Sequence, residues 1–353
     1  MAGSGGTGAG GMSGAAAGGA GAGGAAPTGC IVPATADAEP MLLSQTGCVD
    51  ATDPKKAAAS LIPYDVSSPL WSDGAAKERY VFLPAGSKIH VKDCTAEPDT
   101  CAPIDSGGTG EDEGHWDLPV GAVLMKVFAL GGKRVETRLL MHRAETTWQG
   151  YSFEWNDDET DATLLPDLKD KPIGTQTWHY PSRSQCLECH TKGGGRSLGL
   201  TTAQLNRDYA YADGSANQLD KFEALGLFDA TPARIAALPD PKGSADVELR
   251  ARSYLHANCA ICHRPGGPVS DVDLRFTTTF QGTTLCNQAV NMGTGDPTIP
   301  QVRLVPGSPA DSALSYRMHT TGSYRMPKIG STVVDPDGTA LIDDCITSIT
   351  ACP

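Results

Sequence analysis

Alternation of apolar and polar positions begins at about residue 78. There Arg79-Tyr80-Val81-Phe82-Leu83 and Lys88-Ile89-His90-Val91-Lys92 flank a Pro-Ala-Gly turn. The strongest signal of this kind runs from Val120 to Leu130 and, past Gly131-Gly132, from Arg134 to His142. Two runs of strand-forming residues joined by Gly-Gly predict a β-hairpin. In its second strand Val135, Thr137, Leu139 and Met141 share one face, and Arg134, Glu136 and Arg138 share the other. Tyr151-Ser152-Phe153-Glu154-Trp155 reads as a further strand, so residues 60 to about 172 predict a small antiparallel β domain.

Past that point the pattern turns to helix and loop. Thr201-Thr202-Ala203-Gln204 has the spacing of a capping box. Gln218 to Leu225 is a short helical run stopped by Gly226. Ala245 to Asn258 places Val247, Leu249, Tyr254 and Leu255 at roughly helical spacing. Ser308-Pro309-Ala310-Asp311 opens a helix predicted to continue through Met318, and a last helix runs from about Gly338 to Ile349.

Composition changes this picture at the N-terminus and in the cysteines. Residues 1–29 are almost entirely Gly, Ala, Ser and Thr, without the basic and apolar regions of a signal peptide. They read as a flexible tether of the kind that follows a cleaved signal or a lipid anchor. The formal net charge of -13 argues against nucleic acid or an anionic membrane surface as partner and would attract a basic redox protein. No apolar run is long enough to span a bilayer. Eleven cysteines fit an oxidising compartment. Close spacing makes Cys94/Cys101 and Cys345/Cys352 candidate disulfides, with Cys30/Cys48 a third and Cys286 left over, although spacing fixes no connectivity.

The chemistry lies in a pentapeptide that occurs twice, Cys186-Leu187-Glu188-Cys189-His190 and Cys259-Ala260-Ile261-Cys262-His263. Cys-x-x-Cys-His is the attachment signature of c-type haem. Two thiols separated by a short turn match two vinyl groups on one porphyrin edge, and the following imidazole, His190 or His263, falls beneath the iron. Two Cys-x-x-Cys pairs can also hold zinc, but zinc ribbons space them by roughly 15–20 residues and need no following His. No Gly-x-Ser-x-Gly, P-loop or dinucleotide fingerprint accompanies the motifs.

The sixth iron position separates electron transfer from catalysis. For the second haem, Met326 in Tyr324-Arg325-Met326-Pro327 is the predicted ligand and Met318 its rival. For the first haem the candidates are His179, Met141, His142 or no side chain at all. Arg264, Arg183 and Arg196 are candidate partners of haem propionates. Acidic clusters at Glu111-Asp112-Glu113 and Asp157-Asp158-Glu159-Thr160-Asp161 read as solvated turns rather than calcium loops.

The run from Tyr254 to Gly267, then Met326-Pro327 and a C-terminal helix, resembles class I cytochrome c. Over residues 60–353 the chain is similar to a family of bacterial dihaem c-type cytochromes. The stretches that carry this are Ser72-Asp73-Gly74-Ala75, Val120 to Lys126, Glu136 to Leu140, Tyr180-Pro181-Ser182-Arg183, Gln204-Leu205-Asn206 and Asn291 to Asp296. One departure is Asp344-Cys345-Ile346, where such cytochromes often have Trp-Ile. The resemblance implies two covalently bound haem c groups, electron transfer with redox protein partners such as a periplasmic dehydrogenase, and a periplasmic or cell-surface location. The expected architecture is α+β. A tether and linker (1–50) and an N-terminal antiparallel β domain (51–172) precede two small, mainly α-helical cytochrome c-like haem domains (173–243 and 244–353). The alternative functions are a dihaem peroxidase or oxidase with an open sixth position at the first haem, and a tethered haem sensor or surface protein.

Overall fold

Two glycines with left-handed backbone, Gly131 (φ 57°) and Gly132 (φ 82°), reverse the chain between the paired strands Val123–Leu130 and Lys133–Ala144. A two-residue turn with positive φ at both positions matches the right-handed twist of the strands it joins, and glycine adopts it without steric cost. The structure is a computed structural model that describes residues 29–31, 33, 38–92, 114–291 and 298–353. Residues 1–28 of the predicted tether, the Cys94/Cys101 pair, the Glu111-Asp112-Glu113 cluster and most of the stretch from Asn291 to Asp296 lie outside the described residues.

The first eight strands are β1 (Ile62–Tyr64), β2 (Ala76–Phe82), β3 (His90–Val91), β4 (Trp116–Asp117), β5 (Val123–Leu130), β6 (Lys133–Ala144), β7 (Thr147–Trp155) and β8 (Ala162–Leu164). Six form one antiparallel sheet in the order β1-β2-β5-β6-β7-β8, while β3 and β4 pair separately. Strand β6 is buried along most of its length because both faces of the sheet are covered. On one face Val123, Met125, Leu139, Met141, Tyr151 and Phe153 pack under Leu43, Cys48 and Leu61 of the preceding chain. On the other, Val81, Leu124, Leu140 and Trp148 pack under Leu200, Leu205, Leu219 and Phe222.

That second cover overturns the expected architecture. The region 173–243 is not a helical haem domain with its own core. It begins in the hairpin β9 (Lys169–Ile173) and β10 (Gln176–Tyr180) and contains a second hairpin, β11 (Asp208–Tyr211) and β12 (Gly214–Asn217). Its helices α1 (Arg183–Cys189), α2 (Thr202–Leu205) and α3 (Gln218–Ala224) are four to seven residues long. Helices this short gain little from their own hydrogen bonds. Leu200, Leu205, Leu219 and Phe222 are each worth about 1.5–3 kcal/mol of burial, and they spend it on the sheet.

Residues 244–353 do hold a separate apolar cluster, between α4 (Val247–Asn258), α5 (Ala313–His319) and α6 (Pro336–Ser348). Between α4 and α5 the chain runs as turns and short 3-10 segments rather than helix. The helix predicted from Ser308 is interrupted, since Pro309–Asp311 is a 3-10 turn and Ser312 is extended. Among the described residues the chain is mostly β, with twelve strands and six α-helices, and two helical cytochrome c-like domains are not what it builds.

The disulfides also correct the spacing argument. Cys30 bonds Cys48, but Cys352 bonds Cys286 rather than Cys345. Cys345 sits on α6 against the C-terminal core, while Cys352 lies past the helix end beside the segment of Cys286. Closing a loop of this size restricts the unfolded chain by about 4 kcal/mol. Cys345 remains a thiol, and burial pushes its pKa up to about 11. No described helix is long and apolar enough to cross a membrane.

Candidate functional site

The first motif rides on the sheet. Ser182 caps α1 by accepting from the Gln185 backbone N–H, and Ser182 N–H donates back to Gln185 Oε1 at 2.9 Å. This capping box fixes the helix carrying Cys186 and Cys189. Beneath Cys186 lies Gly150 of β7, where an added Cβ would fall 2.6 Å from the cysteine Sγ. His190 ends the helix, and its Nδ1 donates to the Arg196 carbonyl at 2.5 Å. An imidazole anchored in this way keeps Nε2 as the nitrogen available to a metal. Burial lowers the His190 pKa to about 4, so the ring is neutral at pH 7.

The second motif is tied to the N-terminal part of the chain. Asn258, the last residue of α4, donates to the Tyr254 carbonyl and accepts from the Trp71 backbone N–H at 2.6 Å. Trp71 in turn donates through Nε1 to the Val333 carbonyl at 2.9 Å. Two residues on, the buried Asp73 carboxylate accepts from Thr332 N, Thr332 Oγ1 and Val333 N at 2.8–3.0 Å. Trp71 to Asp73 therefore laces the end of α4 to the loop that carries Met326. Between them opens a cleft lined by Cys259, Trp71, Met318, Met326 and Asp335 among others. Met318 is buried in the C-terminal core, whereas Met326 is half-buried and outside it. His263 Nδ1 is buried and makes no hydrogen bond, an open valence that costs about 1–3 kcal/mol unless a bound group rearranges it. Burial pushes the Cys259 thiol up to about 12.

Replacing Asp73 with alanine orphans three donors at the Met326 loop. We expect Asp73→Ala to destabilise the protein by about 2–3 kcal/mol in urea unfolding. A loss below about 0.5 kcal/mol, the scale of a neutral surface substitution, would show that the lacing is not structural.

The two motifs, far apart in sequence, meet in space. A Cβ added to Gly193, just after the first motif, would lie 2.2 Å from the Gly266 carbonyl oxygen, just after the second. Burial raises the Cys189 thiol to about 11, with the neighbouring Cys262 adding to the effect, and Glu188 acts on Cys262 in the same sense. Yet among the described residues no three His, Cys, Asp or Glu side chains converge as metal ligands, so the four motif cysteines do not form a tetrahedral zinc site.

The side chains expected as sixth ligand at the first motif are engaged elsewhere. Met141 is buried in the core behind the sheet. His142 stacks on Trp148 at 4.4 Å and bonds the Leu118 carbonyl. His179 lies between Asp170 and Gln185. Arg183 forms a two-pronged pair with Glu39, and Arg196 donates to the His190 carbonyl. Arg264 is buried beside His263. In the second acidic cluster Asp161 accepts from Ser44 and Glu159 from Arg134 N. Sequence reasoning missed Gly150, Gly193, Trp71, Asn258 and Lys126. Of these contacts only the Asp73-Gly74 pair left a local trace, as consecutive residues suited to left-handed backbone, here φ 52° and 76°.

The motif residues fit haem c. Each pair of thiols is free of disulfides beside its histidine, one imidazole is anchored through Nδ1, and a cleft opens at the other pair. Searches of family models, curated proteins and solved structures gave no match to the chain.

Proposed function

We propose that this chain is a dihaem c-type cytochrome that passes single electrons between protein partners in the periplasm or at the cell surface. The observation that carries the reading is the contact of the two motifs at Gly193 and Gly266, which would bring two attached cofactors within reach of each other. Cys186 and Cys189 would hold one haem and Cys259 and Cys262 the other, each through thioether bonds. When bound, haem supplies a one-electron couple. The Arg196 carbonyl orients His190, and Trp71 and Asp335 wall the cleft where Met326, or its rival Met318, offers a thioether sulfur. The disulfides Cys30–Cys48 and Cys286–Cys352 favour an oxidising compartment.

The second reading is a peroxidase or oxidase with an open iron at the first haem. Its support is that Met141, His142 and His179 all have other partners. The deciding experiment is an absorption spectrum of the haem-loaded protein, oxidised and reduced, with and without carbon monoxide and peroxide. Two low-spin c haems unmoved by either ligand are expected. A high-spin fraction that binds carbon monoxide would move the assignment to the enzyme. Zinc in place of haem would end both readings.

A further inference from the structure

On the sheet face towards His190, register places three cations side by side. Arg79 of β2 is opposite Lys126 of β5, and Lys126 is opposite Arg138 of β6. Like charges directly across neighbouring strands repel and are rarely placed so without compensation. Lys77 stands two residues from Arg79 on the same side of β2.

Two carboxylates pair directly with this group. Arg79 meets Asp65 at 2.5 Å, and Arg138 grips Glu136 with two bonds of 2.8 Å. Lys77 donates to the Leu70 carbonyl, and its acidic neighbour Asp335 is shared with Tyr254 and the cap of α6. Among the described residues Lys126 pairs with no carboxylate, and its Nζ lies 5.3 Å from the centre of the Phe128 ring. Four cations thus face two directly paired acids, and a surplus of this kind in a recess is costly unless anions arrive from outside the chain.

Cys186 rests on Gly150 of β7, Gly150 is opposite Leu140 of β6, and Arg138 stands two residues along β6 on the same face, opposite Ser152. We infer that the row Arg79, Lys126 and Arg138, with Lys77 at its edge, seats the two propionates of the haem attached at Cys186 and Cys189, with Lys126 as the counter-ion that the described residues leave without a paired acid. This rests on the haem reading above. It is preferred to Arg183 and Arg196 as the candidate propionate partners at this site, since Arg183 is held by Glu39 and Arg196 by the His190 carbonyl, whereas Lys126 pairs with no carboxylate among the described residues. Burial first, and then the charges of Arg79, Lys77 and Arg138, hold the Lys126 ammonium well below its ordinary pKa.

The test begins with haem counting by pyridine haemochrome, which judges the haem reading by itself. On protein carrying two haems, Lys126→Met and Lys126→Arg are then compared by redox titration and electron paramagnetic resonance. Loss of the cation should lower the midpoint potential of one haem and leave the other in place. Arginine should restore it, and the iron's ligand-field signals should not change. Unmoved potentials in Lys126→Met would overturn the proposal. So would a change of iron spin state that arginine fails to repair, because Lys126 would then be an axial ligand. Should Lys126→Met not mature, redox-difference infrared spectra of the unaltered protein decide: ionised propionates at mildly acidic pH are expected, and protonated ones would refute the seat.

Discussion

A chain in which Cys186 and Cys189 are both serine is expected to carry one covalent haem in place of the two proposed for the unaltered chain. Serine has nearly the shape of cysteine but cannot form the thioether, and His190 alone leaves the cofactor to ordinary dissociation. The same loss is expected from Cys259→Ser with Cys262→Ser. Haem that stays on the chain after denaturing extraction, counted per chain, should fall by half in each case. Undiminished haem content in either variant would sink the assignment of that motif. Loss of both haems from one pair of substitutions would be informative in another way. It would mean that the contact at Gly193 and Gly266 makes loading at one motif depend on the other.

The second large effect is expected at that contact itself. In Gly193→Val the new Cβ meets the Gly266 carbonyl oxygen at 2.2 Å, its carbon at 2.6 Å and the Gly267 nitrogen at 3.1 Å. These are backbone atoms and cannot rotate aside, so the two motif loops must part. Overpacking of this sort costs about 1–3 kcal/mol and shifts the backbone. We expect lower stability in denaturant, both haems retained, and slower electron exchange between them after rapid reduction of one. Exchange at the unaltered rate, despite the lost stability, would mean that the loops do not set the spacing of the cofactors.

Local order was largely legible in the sequence. The Gly131-Gly132 hairpin, the alternation of β6 from Glu136 to Met141, α3 with its Gly226 stop, and α4 all follow from short-range pattern, whereas the bulge beside Phe128 moves Val135 off the face of Leu139 and Met141 and into the cluster of Phe128 and Trp178. The helical haem domains were misread because Cys-x-x-Cys-His states a covalent chemistry over five residues and says nothing about the fold that presents it. The destination of Leu205, Leu219 and Phe222 was invisible for a different reason. Apolar residues on a short helix show that they will be buried, not against which partner. The same limit applies to the Cys286–Cys352 bond and to Gly193, whose partners are far away in the chain. Lys126 was read only as part of a strand, because its significance lies in the neighbours that register supplies from β2 and β6.

The strip from Asp65 to Asp73 has a consequence for how the molecule is made and taken apart. It bonds Gln218 and Gln204, then Ser253 and Asn258, then Thr332 and Val333, across sequence separations of 136 to 260 residues. A segment whose partners lie as far along the chain as Thr332 and Val333 cannot finish folding until those residues have been made. Contacts of such range also make folding slow, since loop-closure entropy must be met before they form. Once formed, they join the sheet and both motifs into one cooperative unit. Amide exchange should therefore protect the strip, β6 and α4 to a common free energy, and a cut between the motifs should release no half that stands alone.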